Sequence, residues 1–231
     1  MEYKSGAVLN IQGIKLYHFP MSRSARVKWL LHELLDDDFD VEVMALYEGA
    51  QYQPDFLQRN PNHAVPMLEI TQGDGDVFIM IESGAMISLL ADAYPEKALA
   101  PPAVGYSPER ADYLQMLHFG SSWMDMMLWQ LRLHRDLLPP DERDQATVSR
   151  YLDKFRTEVE PQLTARLERQ AFICGEQFTA VDCVIGQNIN WARMYGLCQD
   201  DVFSRYLAAL GERPAYRAAY ADRGLFSASP S

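Results

Sequence analysis

Residues 14–35 read IKLYHFPMSRSARVKWLLHELL, and the order of events within them decides the fold. Ile14 to Phe19 has the apolar and aromatic content of a short strand, and Pro20, which has no amide to donate, ends it. From Arg23 onward Val27, Leu30, Leu31 and Leu34 recur at the spacing of one helix face, which predicts a helix over 23–35. Asp36, Asp37 and Asp38 then close that helix as a turn. A strand feeding directly into a helix is the opening of an α/β unit.

Working outward, Phe39 to Leu46 alternates like a second strand. Val65–Ile70 and Val77–Ile81 read as two further strands, joined by the turn Gly73-Asp74-Gly75-Asp76. Ser83 to Tyr94 is a predicted helix with Ser83 as its N-cap. Residues 1–12 carry no pattern and read as a loose leader. Pro95 to Tyr106 is rich in proline and alanine without periodicity, as a linker is. Beyond it no strand pattern recurs, and helices are expected at 108–136, 141–169, 180–195, 201–210 and 214–221. Ser107-Pro108-Glu109 is a helix start, and Thr179-Ala180-Val181-Asp182 a capping box with aspartate in the glutamate position. The expected division is an α/β domain over 12–94, a linker over 95–106 and an all-helical domain over 107–225.

The composition narrows the function. The chain has 231 residues, 48% of them hydrophobic, and a formal charge of -11. That apolar content excludes a disordered chain, and the acidic balance excludes nucleic acid as the main partner, because phosphate binding needs a basic face. Three cysteines, Cys174, Cys183 and Cys198, are no disulfide framework and suit a reducing compartment. The N-terminal residues lack the apolar core of a signal peptide, and no apolar run approaches the ~18 residues a membrane span requires. A cytoplasmic protein is expected. His118 and His134 have no acid or cysteine partners at metal-ligand spacing, so no metal is expected, and no glycine-rich phosphate loop occurs.

Four segments together resemble the cytosolic glutathione transferases, from about residue 14 to 224. They are Leu16–Val27, the Asn60-Pro61-Asn62-His63-Ala64-Val65-Pro66-Met67-Leu68 segment, Ile81-Glu82-Ser83-Gly84-Ala85-Met86, and Phe178-Thr179-Ala180-Val181-Asp182. The resemblance implies an α/β thioredoxin-like N-terminal domain that binds glutathione as co-substrate. It also implies an all-α C-terminal domain that shapes a pocket for a hydrophobic electrophile, and a homodimer. Val65 and Pro66, with a cis peptide between them, would present backbone to the cysteinyl amide. Ser83 would hold the γ-glutamyl carboxylate at a helix N-terminus and Glu82 the ammonium. Gln51 matches a position used for the glycyl carboxylate, whereas Ala64 stands where many members have a lysine or glutamine.

The chemistry such a site must perform is small. A thiol of ordinary pKa is about 3% ionised at pH 7, and lowering that pKa by two units makes it roughly three quarters ionised. One hydroxyl donor can do this. Ser22 has the theta-like spacing, with His18, Ser24 or no side chain at all as alternatives. A cysteine is absent from this turn, which argues against disulfide reductase chemistry. On the long helix, Phe119, Trp123, Met126 and Met127 are candidate pocket walls, with Gly120, Ser121 and Ser122 leaving space beside them. The implied activity is conjugation, with peroxide reduction as a side activity. A glutathione-dependent isomerase and a non-catalytic interaction protein are the alternatives.

Overall fold

The computed structural model describes residues 11–228. The chain divides into two compact units. One runs to Tyr94 and takes in the stretch from Ala218 onward; the other is Pro95–Arg217. The last residues, expected to end the helical domain, therefore belong with the α/β unit.

The α/β unit contains β1 (Ile11–His18), α1 (Ser24–Leu35), β2 (Asp40–Val43), α2 (Pro54–Arg59), β3 (Met67–Gln72), β4 (Val77–Ile81) and α3 (Ser83–Ala93). The sheet order is β2-β1-β3-β4, with β1 parallel to β2 and antiparallel to β3, and β4 antiparallel to β3. Ile11 and Gln12, read as leader, lie in β1, and Ile11 pairs with Gln72. The rest of the expected leader lies outside the described residues.

Pleating sorts the side chains. Tyr17 and Met67 face one side, where Phe19, Met44, Phe56 and Val65 close a cluster around them. Leu16 and Leu68, wholly buried, face the other side, where α1 and α3 pack. Burying each such leucine contributes about 1.5–3 kcal/mol. The α2 helix was not expected, because six residues are too few to show a period; Pro54 at its first turn is its one sequence mark. Phe56 is the buried residue that docks it, with its ring 5.9 Å from that of Tyr17.

In the second unit the expected long helices occur with wider turns inside them. The first consists of α4 (Pro108–His118), a π-helical turn over Phe119–Met124, α5 (Asp125–Arg132) and a second π turn over Leu133–Leu137. The next consists of α6 (Gln145–Lys154), a π turn over Phe155–Val159 and α7 (Glu160–Leu167). Then follow α8 (Ala180–Arg193), α9 (Asp201–Gly211) and α10 (Pro214–Ala219). The cap of α4 is Ser107, whose Oγ accepts from the Arg110 amide at 3.0 Å.

The Thr179–Asp182 box at the start of α8 forms as expected and does more than cap. The wholly buried Asp182 carboxylate accepts from the amides of Ile173 (2.9 Å) and Thr179 (2.8 Å), from Thr179 Oγ1 (3.1 Å) and from the Tyr206 hydroxyl (2.8 Å). It thereby ties the loop before α8 and the middle of α9 to one point.

Candidate functional site

Strand register assembles the site. Tyr17 pairs with Met67, and Met67 with Ile81. The turn leaving β1, the Val65–Pro66 loop entering β3 and the Glu82–Ser83 step leaving β4 therefore all emerge at one end of the sheet. Val43, the last residue of β2, pairs with His18, which brings the segment carrying Gln51 to the same end.

The turn after β1 is built on hydroxyls. Met21 adopts φ +60°, which swings Ser22 back toward the strand end. The partly exposed Ser22 Oγ donates to the Phe19 carbonyl at 2.8 Å and lies 2.7 Å from Ser24 Oγ. Ser24 is wholly buried; its Oγ accepts from the Phe19 amide at 3.0 Å and stands 2.7 Å from His18 Nδ1. His18 is wholly buried too, and its Nε2 lies 3.1 Å from Asp222 Oδ2. Asp222 also accepts from Lys28 Nζ at 2.7 Å.

Burial disfavours the charged imidazole, with Lys28 adding to that effect, and together they outweigh Asp222, so the His18 pKa lies below its ordinary value. Burial also pulls the Asp222 carboxyl up, yet the hydrogen bonds and charges of His18 and Lys28 win and hold it at about 2. Tyr17 points to the other face, where its hydroxyl donates to Glu69 at 2.9 Å and accepts from Arg59. Neither Tyr17 nor His18 presents a free polar atom at the turn. Of the groups weighed as thiol donors, Ser22 is the one at the surface.

The Val65–Pro66 peptide is cis. The loop before it is braced from inside by Asn60, 1% exposed, whose Nδ2 donates to the Ala64 carbonyl at 2.7 Å while its Oδ1 accepts from the Asn62 amide. Glu82 holds φ +77°, a region that costs a non-glycine residue roughly 1–3 kcal/mol and that is retained where function demands it. Here Glu82 is the N-cap residue of α3, one position earlier than the expected cap Ser83, which is the first helical residue. Ser83 Oγ is buried and accepts from the guanidinium of wholly buried Arg26 at 3.4 Å.

Gln51 lies in a short 3-10 turn, Ala50–Tyr52, and its Oε1 is buried without a donor among the described residues. The neighbouring Tyr52 ring stacks on His63 at 5.1 Å. His63 was not among the expected site residues, although it adjoins Ala64 in a motif already singled out. Arg26 was quoted as part of a motif but not as a charge behind Ser83. Asp222 had no signal at all, standing 204 residues from His18.

The candidate pocket walls divide. Phe119 and Met126 are partly exposed and Trp123 is 40% exposed, with Lys154 Nζ 4.8 Å from its ring centre. Met127 has no exposed surface and is core, contrary to expectation. Nor does Gly120 leave room. A Cβ there would stand 2.7 Å from Val184 Cγ1 and 2.8 Å from Ile185 Cδ1, and the Gly120 carbonyl accepts from Asn188. The missing side chain is already filled by α8.

A mixed four-stranded sheet with a cis-proline loop, followed by a helical unit, defines a thioredoxin-like domain joined to an all-helical one. The family model for the glutathione S-transferase N-terminal domain matches residues 16–98. Glutathione S-transferase GstB of Escherichia coli strain K12 is 30% identical over 207 residues, spanning 85% of this chain and 93% of that one. Among solved structures, a glutathione transferase family member from Pseudomonas fluorescens, with two glutathione bound, superposes with a TM-score of 0.78. It is 22% identical and covers 90% of this chain and 92% of its own. A glutathione transferase from Pseudomonas putida, with glutathione disulfide bound, gives 0.78 at 21% identity, covering 90% and 91%. The chain belongs to the glutathione S-transferase family.

Proposed function

We propose that this protein binds glutathione at the end of its sheet and transfers the thiolate to the electrophilic carbon of a hydrophobic substrate. The observation that carries this reading is the convergence, through strand register, of Ser22, the cis Val65–Pro66 loop and Glu82–Ser83. Their chemistry divides the ligand among them. Val65 backbone pairs with the cysteinyl amide in the manner of an added strand. The α3 N-terminus and Ser83 Oγ take the γ-glutamyl carboxylate, and Glu82 its ammonium. Ser22 hydrogen-bonds the sulfur, giving up its contact with the Phe19 carbonyl to do so.

Arg26 supports the carboxylate site from inside the unit. Its guanidinium donates to Ser83 Oγ and so sets the hydroxyl at the carboxylate site from behind. At the glycyl end, where Ala64 offers nothing, Gln51 and His63 are the polar groups at hand. Partly exposed Phe119, Trp123 and Met126 give the helical unit an apolar surface, and the functional unit is a homodimer. The same thiolate reduces peroxides as a side reaction.

The test has two parts. Glutathione at millimolar concentration raises the melting temperature of the wild type, and Ser83→Ala or Glu82→Ala removes the shift. Conjugation of a chlorinated nitrobenzene then falls roughly threefold at pH 7 in Ser22→Ala, the loss expected when a thiol three quarters ionised has its pKa raised by about one unit. Absence of any thermal shift defeats the enzyme reading in favour of a non-catalytic interaction protein; unchanged turnover in Ser22→Ala removes that residue from its role.

A further inference from the structure

Ser22, Ser24, His18 and Asp222 form one unbroken hydrogen-bonded line from the surface of the turn to the far end of the chain. The steps are 2.7 Å between the two hydroxyls, 2.7 Å from Ser24 Oγ to His18 Nδ1, and 3.1 Å from His18 Nε2 to the carboxylate. Ser22 is the member open at the turn; Asp222, at the other end, is also partly exposed, and the two groups between them are buried. We infer that His18, working through Ser24 and Ser22, is the group that receives the proton leaving the glutathione thiol, and that Asp222 positions and stabilises it. This rests on the proposed function and deepens it, because a hydroxyl alone can stabilise a thiolate but cannot keep its proton.

The bonds at rest follow from the partners. Asp222 can only accept, so Nε2 carries the hydrogen in neutral His18. Nδ1 is then an acceptor and takes the Ser24 hydroxyl proton. Ser24 Oγ in turn accepts from the Phe19 amide, and it takes the Ser22 hydroxyl proton when a ligand draws Ser22 off the Phe19 carbonyl, to which that proton is donated at rest. Ionisation shifts each proton by one place. The S–H bond breaks with its electron pair left on sulfur, and its proton joins Ser22 Oγ. The Ser22 proton passes to Ser24, and that of Ser24 forms the Nδ1–H bond. Afterwards Ser22 donates to the thiolate, Ser24 to Ser22, Nδ1 to Ser24 and Nε2 to Asp222. Every donor still has an acceptor, and no proton enters or leaves.

Three features suit the line to this task. His18 is wholly buried, so the proton it takes is not exchanged directly with water. The charged groups facing it are Lys28 of α1, which opposes protonation, and Asp222, which favours it and is itself bound to Lys28; Arg26, also buried on α1, is turned to Ser83. A base kept neutral at rest and opposite a carboxylate that stays ionised can take a proton once a negative sulfur forms nearby. The stretch bearing Asp222 is held on α1 by the Trp29–Tyr220 ring contact as well, at 6.4 Å.

Proton release on glutathione binding, read with an indicator dye in weakly buffered solution, tests this beside the ultraviolet absorbance of bound thiolate. The wild type is expected to form thiolate while releasing far less than one proton per thiolate. In Asp222→Asn, release rises toward one and the pH midpoint of thiolate formation moves up by roughly one unit. His18→Gln shows full release, and because that site is wholly buried the Asp222 variant carries the test should it not fold. A full proton released by the wild type, an unchanged Asp222→Asn profile, or binding with no thiolate defeats the relay while glutathione binding stands. No glutathione binding at all defeats the proposed function and the relay together.

Discussion

Substituting Gly120 by alanine separates two roles for the π-helical turn over Phe119–Met124: room for a ligand, or contact between helices. A Cβ built on Gly120 meets Val184 Cγ1 at 2.7 Å and Ile185 Cδ1 at 2.8 Å. Carbon atoms rest at about 3.5–4.0 Å, so each neighbour must retreat by roughly 0.8 Å. Val184 and Ile185 have no exposed surface, and neither has solvent into which to move. Overpacking of this kind costs about 1–3 kcal/mol. Alanine recovers up to about 1 kcal/mol through helix propensity. The net expectation is a loss of about 1–2 kcal/mol, which lowers Tm by roughly 2–8 °C in a chain of this size. Thermal and denaturant unfolding of Gly120→Ala, Val184→Ala and the double variant would measure it. Removing the Val184 methyls makes space for the new Cβ, so the two changes should couple favourably by about 1 kcal/mol. If Gly120→Ala is as stable as wild type or more so, and the pair shows no coupling, the packing argument is wrong and the glycine borders open space.

Three further outcomes follow from single sites. Asp182→Ala leaves four buried donors without an acceptor and should cost about 3 kcal/mol or more, read from the denaturation midpoint; loss under 1 kcal/mol contradicts the role given to that carboxylate. Asp222 has a folded pKa of about 2 against an ordinary 3.8, so it contributes stability above pH ~4 that disappears as pH falls through 2. His18 acts in the same direction, because its lowered pKa means that a buried neutral ring must charge as the solution is acidified. Wild type should therefore lose Tm between pH 4 and 2 more steeply than Asp222→Asn, and parallel curves would refute the linkage. Burial pushes the Cys174 thiol up to about 12 and that of Cys198 up as well, so alkylation at pH 8 should be slow and leave conjugation unaffected. Rapid labelling with loss of turnover would show a thiol doing chemistry.

The elements with long apolar periods were legible from the sequence. Val27, Leu30, Leu31 and Leu34 mark α1 because one helix face is buried along its length, and all four are in the core. Short elements were not. The α2 helix exists because Phe56 docks under Tyr17, and six residues carry no period of their own. The π turns inside the two long helices leave no mark in the spacing either. Within the site, motif spacing pointed to Ser22, Val65–Pro66 and Glu82–Ser83. Met127 and Gly120 were misread because an apolar or small residue on a helix looks the same whether it faces a ligand or another helix.

What the sequence determined by itself was a strand-helix opening, an α/β half, a helical half, and the absence of a cysteine from the turn where disulfide reductase chemistry would need one. These are local properties, set by periodicity and by residue type. Tertiary structure alone decided what each polar group at the turn is bonded to. His18 resembles any strand histidine until Asp222, 204 residues away, is brought to its Nε2. Arg26 is one more charge on a helix until α3 places Ser83 against it. A hydrogen bond depends on positions fixed by the whole packed unit, and no spacing along the chain encodes a partner contributed by its other end.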